Sequence, residues 1–326
     1  MATLKDVAAL AGVTTTTVSR MLNKRCNISE KTRIKIENAM LELEYQPNEL
    51  ARSLSKKRSN FIGLIVPTAR QYFFSSLIES VEANVHLNGC KLLLCISDMD
   101  VQKEREYYHM LMSNKVRGII LCNLTQSVEE YASPDAPVMI LERIPSKQLP
   151  CALADNYRGG YLAAEHLIGK GCRRLLYFGG DLALNTDPAK RYNGFCDACK
   201  QLGVPGPKFV KASLAEFSAM SYDDSVNRMF QEHHDLDGIL ASNDIIAAAI
   251  IRYCFHHGIQ VPDQLRVVGY DDTPFARNCV IPLTTVHQPI EEMCRYAVNS
   301  IIRRSEGEVI PASAVFPVHL VERAST

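Results

Sequence analysis

Polar side chains follow several apolar runs of this chain, at positions where parallel strands would end. Asn243 and Asp244 follow one run, Asp271 and Asp272 follow another, and Gln288 follows a third. Ligands of open parallel sheets bind beyond the carboxyl ends of the strands, so we expect these residues to share one cleft. Their carboxylates and amides suit a ligand with adjacent hydroxyl groups. Each one alone could instead cap a loop, and Asp272 could face away from the ligand.

A second polar group lies near the N-terminus, on the outer face of a short predicted helix. Its members are Thr15, Thr16, Ser19, Arg20 and Asn23. Hydroxyls, amides and guanidinium groups can read base edges in a major groove or hold phosphates. The pattern therefore favours DNA binding over a three-helix stub that merely packs against another surface.

The elements that would position this face have clear local signals. Thr3 and Asp6 resemble a capping box, Gly12 permits a tight turn, Thr14 can cap the second helix, and Ser29 can cap a third. Apolar residues recur along the third helix and beyond it, namely Ile34, Ile36, Ala39, Met40, Leu43 and Tyr45. The spacing predicts an all-α helix-turn-helix domain.

Charge is distributed unevenly along a chain whose formal net charge is zero. Residues 1–60 contain 11 of the 36 Lys and Arg but only 6 of the 36 Asp and Glu. A basic N-terminal part suits phosphate binding, because each neutralised phosphate releases counterions and adds salt-dependent affinity. The rest of the chain is mildly acidic, as a separate ligand-binding body would be.

The segment after Tyr45 predicts a short conditional helix. Pro47 suits a first helical turn, and Leu50, Ala51 and Leu54 form an apolar stripe. So short a helix is marginal in water, since its nucleation is costly. We expect it to fold only against a partner.

Beyond residue 60, apolar runs alternate with helical segments. The main runs are 61–67, 91–95, 118–121, 138–141, 174–180, 237–244 and 265–272. Continuous apolar strands between helices predict parallel sheets covered on both faces, and the length of this part suggests two lobes.

Other chemistry is poorly supported by the sequence. The 11 cysteines are an odd number scattered through apolar runs, and Cys196 and Cys199 match C-x-x-C inside a predicted helix. The pairs His233-His234 and His256-His257 have no third residue at a spacing that suits a metal ion, and no catalytic group such as Ser-His-Asp is recognised. We expect no metal, cofactor, membrane span or enzymatic activity, and a cytoplasmic, nucleoid-associated protein.

The chain closely resembles the lactose-repressor/galactose-repressor (LacI/GalR) family over essentially its whole length. The matching segments are 3–8, 11–13, 17–20, 45–48 and 51–54. The resemblance implies that Leu54 wedges into a minor-groove step of a pseudo-palindromic operator when two hinge helices of a homodimer pair. The DNA-contacting set expected from the face and the resemblance is Thr3, Leu4, Thr14, Thr15, Thr16, Ser19, Arg20, Asn23, Tyr45, Asn48, Ala51 and Leu54.

The family fold implied is a helix-turn-helix domain (1–46), a hinge helix (47–58) and a two-lobed α/β core (59–326) like that of periplasmic binding proteins. The N-lobe would comprise about 59–154 and 289–313, and the C-lobe about 155–288 and 314–326. The three crossings between the lobes are expected near 154, 288 and 314. No heptad-patterned tail follows, so a dimer is expected.

The resemblance also completes the expected effector site. It adds Arg191 as the effector-binding arginine and aromatic walls to the polar strand ends, so that the set is Tyr72, Phe73, Phe74, Arg191, Phe217, Asn243, Asp271 and Gln288. Many sugar-responsive members have Asp where this chain has Glu142, before Arg143. The longer side chain makes Glu142 a weaker candidate for contact with the effector.

The functional hypothesis is a repressor of carbohydrate utilisation whose operator affinity is controlled by a sugar or sugar phosphate. A purine-like corepressor is the second choice of effector. A sugar-binding module without DNA function is the alternative from another class, and an activator is not distinguishable from a repressor by sequence.

Overall fold

Within the part of the chain that the structure describes, three helices form the N-terminal unit, Met1–Ser59. The computed structural model describes residues 2–22, 28–45, 59–122, 132, 137–143, 149–182 and 187–326. The helices are α1 (Leu4–Leu10), α2 (Thr15–Leu22) and α3 (Glu30–Glu42). We call residues 2–45 of this unit the head.

Local signals in the sequence explain where the helices of the head begin. Thr3 and Asp6 form the predicted capping box, and Ser29 accepts a hydrogen bond from the Thr32 amide. Gly12 has φ +66°, the left-handed conformation that its turn requires. These starts confirm the predicted helix, turn and helix.

A small core joins the three helices of the head. Val7, Val18 and Ile36 are fully buried, and Tyr45 packs against the cluster as predicted. The prediction was wrong for Ile34, which is 47% exposed. Two residues correspond to about 200° of helix rotation, so Ile34 and Ile36 cannot share a face.

The second unit, Asn60–Thr326, contains two six-stranded sheets. The first has the order β11-β5-β4-β3-β1-β2, and its pairs are parallel. Its strands are β1 (Phe61–Val66), β2 (Lys91–Ile96), β3 (Gly118–Leu121), β4 (Val138–Leu141), β5 (Cys151–Ala154) and β11 (Ser313–Phe316).

The second sheet has the order β12-β10-β9-β8-β6-β7. Its pairs are parallel except β10 with β12, which is antiparallel. Its strands are β6 (Leu175–Gly179), β7 (Lys208–Lys211), β8 (Gly238–Ala241), β9 (Arg266–Asp271), β10 (Thr284–His287) and β12 (His319–Val321).

Helices cover both faces of each sheet, as the continuous apolar strands predict. Ile120 of β3 belongs to one apolar cluster, while its neighbours Ile119 and Leu121 belong to another on the opposite face. The described helices are α4 (Tyr72–Leu87), α5 (Val101–Ser113), α6 (Asn156–Gly169), α7 (Lys190–Gln201), α8 (Leu214–Ala219), α9 (Asp223–Glu232), α10 (Asp244–His256), α11 (Pro274–Asn278) and α12 (Ile290–Ser305).

The chain passes between the two sheets three times. The first two passages follow β5 and β10, near the predicted positions 154 and 288. Ser313–Phe316 still pairs with β5 in the first sheet, so the third passage lies after Phe316, slightly beyond the expected 314. Of the helices within the described ranges, none is long and apolar enough to cross a lipid bilayer.

Candidate functional site

The outer surface of the head carries the residues that the sequence singled out for DNA binding. Thr15, Thr16 and Arg20 lie on α2 with exposed side chains, and Ser19 beside them is half-buried. Arg20 lies in the last turn of α2, where its charge also complements the helix dipole. Short hydroxyls and a guanidinium on one exposed helix face can reach base edges and phosphates.

The remaining residues of the predicted DNA set divide into three kinds. Thr3 and Thr14 cap helices, since Thr14 Oγ1 accepts a hydrogen bond from the Thr17 amide at 3.2 Å. Leu4 and Tyr45 pack against the apolar core of the head. The third kind lies outside the described residues, as does the predicted hinge helix: Asn23, Asn48, Ala51 and Leu54.

A cavity of about 440 Å³ lies in the second unit, between strand ends of the two sheets. We call it the cleft. Seven of the eight residues predicted for an effector site line it, namely Phe73, Phe74, Arg191, Phe217, Asn243, Asp271 and Gln288. Their direct contact with an effector stays a prediction.

Tyr72 is the member of the predicted set that does not line the cleft. Its ring stacks on Phe275, with ring centroids 4.7 Å apart and an interplanar angle of 12°. Successive helical residues point about 100° apart, so Tyr72, Phe73 and Phe74 cannot all face one cavity. The helix therefore divides the predicted wall: Phe73 and Phe74 line the cleft, and Tyr72 does not.

Arg191 is buried at the base of the cleft and holds several elements together. Its Nε donates to Asn156 Oδ1 at 2.6 Å, and its Nη1 donates to the Ser242 carbonyl at 2.7 Å. Its guanidinium carbon lies 3.6 Å from the centroid of the Tyr270 ring. Helix α6 lies so close to the Arg191 backbone that a Cβ at Gly160 would be 1.8 Å from the Arg191 carbonyl oxygen. This close packing fixes the backbone from which the Arg191 side chain projects.

Glu142 lines the cleft, but its carboxylate is occupied by the protein. One oxygen accepts the Ala154 amide at 2.6 Å, and the other accepts Asn156 Nδ2 at 3.1 Å. Arg191 Nη2 lies 3.8 Å from that second oxygen. Glu142 has a left-handed backbone with φ +57°, which only a well-bonded surrounding would hold. The weaker candidacy of Glu142 for contact with an effector stays a prediction.

Asp271 and Gln288 form the polar end of the cleft. Gln288 Nε2 donates to Asp271 Oδ1 at 2.6 Å, and Arg191 Nη1 lies 4.0 Å from the same oxygen. Burial raises the pKa of Asp271 to about 7, although the charge of Arg191 and the hydrogen bond from Gln288 lower it. Asp272 turns away from the cleft and pairs with Arg323 and His287.

Two buried polar atoms at the cleft make no well-formed hydrogen bond with the residues that the structure describes. They are the hydroxyl of Tyr222, a residue 1% exposed, and Oε1 of Gln288, a residue 2% exposed. Burial raises the pKa of Tyr222 to about 12, although the neighbouring Asn243 and Gln71 side chains lower it, so the hydroxyl stays protonated and can donate. A buried polar group without a well-formed hydrogen bond is costly, and ligand hydroxyls could satisfy both atoms.

Several lining residues were not predicted from the sequence. Gln71 follows β1 and donates through Nε2 to the Phe217 carbonyl at 2.9 Å, which links the two lobes across the cleft. Its place after an apolar run was a usable signal. Ser242 directly follows β8 and carried the same signal, whereas Tyr222 carried none, because only the tertiary fold brings it to the cavity.

The profile described as bacterial regulatory proteins of the lacI family matches residues 3–48, and that of a periplasmic binding protein-like domain matches residues 164–326. The chain is 34% identical to the sucrose operon repressor of Streptococcus mutans, covering 100% of this chain and 99% of the relative. It is 35% identical to the ribose operon repressor of Bacillus subtilis, covering 100% of this chain and 99% of that relative.

The lac repressor dimer bound to operator and the anti-inducer ONPF has a similar solved structure, with TM-score 0.87 and 26% identity over 99% of this chain and 98% of that one. The head, the two-sheet body and both sequence profiles therefore agree: this chain belongs to the lacI family of bacterial regulatory proteins.

Proposed function

We propose that this protein is a sequence-specific repressor of a carbohydrate utilisation operon, and that a sugar bound in the cleft controls its affinity for operator DNA. The observation that carries the proposal is the cleft itself. Amide, carboxylate and phenol groups converge there, and the buried Gln288 Oε1 is left for a ligand to satisfy.

The head supports the DNA-binding half of the proposal. Thr15, Thr16 and Arg20 present groups that can contact bases and phosphates, on a helix fixed by a capped turn. By likeness to the lac repressor dimer, we expect two copies to bind one pseudo-palindromic operator in the cytoplasm. The wedge role of Leu54 is part of this proposal.

The contacts between the lobes support control by a ligand. Arg191 and Gln71 each join residues of both lobes, and Tyr72 stacks on Phe275 across them. A ligand that changes these contacts would favour one lobe arrangement, and a difference of about 1–3 kcal/mol in its affinity for the two arrangements would suffice. The role needs no catalysis, and we propose none.

Operator affinity provides the test. Operator DNA is selected from random sequence, and the affinity of the purified protein for it is measured at fixed salt, with and without sugars, sugar phosphates and purines. Weaker binding with a sugar is the expected result. Stronger binding with a purine would indicate a corepressor system, and failure to select any site would refute the DNA-binding role.

A further inference from the structure

The cleft is larger than one sugar ring requires. Its volume is about 440 Å³. A hexose has about a dozen non-hydrogen atoms and occupies roughly 200 Å³ at the packing density of protein interiors. A single ring would leave about half of the cleft to water, so the volume suits a molecule of two units.

Sheet order gives the cleft two different ends. Asp271 ends β9 and Gln288 follows the neighbouring strand β10, whereas Lys211 to Leu214 lie at the end of β7, at the opposite edge. Adjacent strands lie about 4.8 Å apart, so the four steps from β10 to β7 span roughly 19 Å. A ligand held at the polar end extends toward β7 only if it is longer than one ring.

The end of the cleft near β6 and β7 is lined mainly by apolar side chains. Its apolar members are Leu182, Pro188, Ala189, Ala212, Leu214 and Phe217. Phe73 and Phe74 add aromatic surface from the other lobe. Such a wall favours the apolar face of a second ring, since burying apolar surface is favourable and the wall offers few hydrogen bonds.

Two basic side chains line the described cleft, Lys211 and Arg191, and both already bind other residues of the protein. Lys211 Nζ lies 2.5 Å from Asp181 Oδ2, and Arg191 donates to Asn156 and the Ser242 carbonyl. Glu142 and Asp181 already match the two basic groups of the lining in number, and Asp271 adds no positive charge. A phosphate would meet carboxylates on entering, and both cations would have to leave their partners.

From these observations we infer that the effector is an uncharged glycoside of two units. One sugar unit binds at Arg191, Asp271 and Gln288. The second unit, a sugar or an aromatic group in glycosidic linkage, lies on the wall formed by Leu182, Leu214 and Phe217 near β7. The inference rests on the proposed function, because it specifies the ligand of that same cleft.

Calorimetric titration of the full-length protein tests the ligand class. The panel contains neutral disaccharides, phenyl glycosides, their component monosaccharides and the corresponding 6-phosphates. We expect at least one two-unit glycoside to bind about tenfold or more tightly than its component monosaccharide and its 6-phosphate. Preference among disaccharides and phenyl glycosides identifies the second unit.

Substitution near β7 tests where the second unit lies. Leu214→Asp should weaken binding of the two-unit glycoside about tenfold while monosaccharide affinity stays unchanged. The new carboxylate would follow the cap Ser213, at a helix N-terminus that tolerates it. Val101→Asp is the matched control, because Val101 also follows an N-cap at the start of a helix, is 38% exposed and does not line the cleft, whereas Leu214 is 57% exposed and does.

A reciprocal variant tests the exclusion of phosphate. Asp181→Asn would release Lys211 from its ion pair, so binding of a 6-phosphorylated glycoside should tighten several-fold while neutral ligands change little. Tightest binding of a monosaccharide or a phosphate by the unsubstituted protein would overturn the inference and leave the proposed function standing. If no sugar bound although operator binding was intact, both the inference and sugar control would fall.

Discussion

The head and the cleft hold their functional side chains in opposite ways. Arg20 of the head is exposed on α2, whereas Arg191 of the cleft is 5% exposed and bonded to residues of three other segments. Arg20, which we propose contacts DNA, lies in water. Arg191, which we propose transmits the presence of a ligand, is built into the contacts that hold the lobes together.

This difference predicts different consequences of mutation. Exposed side chains of the head carry little folding energy, so their loss should affect binding alone. In the cleft, the side chains that we expect to contact the effector also satisfy buried partners, so binding and stability should change together.

Arg191→Ala tests this coupling with the largest expected effect. Removing the guanidinium takes away the cation that lies 3.8 Å from the buried Glu142 carboxylate, and breaking a buried pair costs about 3–5 kcal/mol. We expect lower stability in chemical denaturation and loss of the effector response, with operator binding retained where the variant is folded. A normal effector response would refute the assignment of the cleft.

Arg252→Ala is the control for Arg191→Ala. Arg252 pairs with Asp223 at the surface, where both side chains are more than half exposed. Exposed pairs contribute about 0–1 kcal/mol, so stability and effector response should stay nearly unchanged. Equal losses in the two variants would show that any arginine of this unit matters equally, and the contrast between surface and cleft would disappear.

The pKa of Asp271 predicts a dependence of stability on pH that originates in the cleft. Burial raises the pKa of Asp271 to about 7 in the folded protein, whereas in the unfolded chain it has its ordinary value of 3.8. The stabilising contribution of protonated Asp271 is therefore complete below about pH 4 and is lost as the pH rises toward 7. The slope is at most about 1.4 kcal/mol per pH unit.

Asp271→Asn isolates this contribution, because an amide does not titrate and can still accept from Gln288. The free energy of unfolding is measured for both proteins between pH 4 and 7 without effector. The stability of the unsubstituted protein should fall relative to the variant as the pH rises. Parallel curves would mean that Asp271 has an ordinary pKa.

Arg20→Ala tests the other side of the comparison. Loss of a base or phosphate contact should weaken operator binding by about 1–3 kcal/mol, while the unfolding transition stays in place. Arg33→Ala is a suitable control, since Arg33 is an exposed arginine on α3 that pairs with Glu30 and Glu37. Equal weakening by both variants would indicate a general charge effect in place of a contact by Arg20.

The head was the more predictable region because its signals are local. Capping by Thr3 and Ser29 and the turn at Gly12 each depend on residues within a few positions of one another. Ile34 was misplaced because a run of apolar residues does not by itself define a helix face.

The body was predictable where strands are buried on both faces. The central strands are continuous apolar runs, whereas β7 is a half-exposed edge strand, Lys208–Lys211, whose composition gives no such signal. The strand ends indicated Asp271 and Gln288, but not that Gln288 bonds to Asp271 or that Tyr222 comes to lie beside the cleft. Those relations depend on tertiary packing, which no local pattern contains.

Two adjacent threonines of the head should differ in what their loss affects, one the stability of the head and the other its binding to DNA. Thr14 accepts the Thr17 amide, and loss of such a cap costs about 1 kcal/mol, whereas Thr15 is exposed on the outer face. Thr14→Ala should therefore lower the thermal stability of the head, and Thr15→Ala should weaken operator binding without that loss. Both variants are compared by melting and by operator titration. If both variants lost stability equally, Thr15 on the outer face of α2 would contribute to folding. The contrast between exposed DNA-contacting residues of the head and buried ligand-contacting residues of the cleft would then no longer hold.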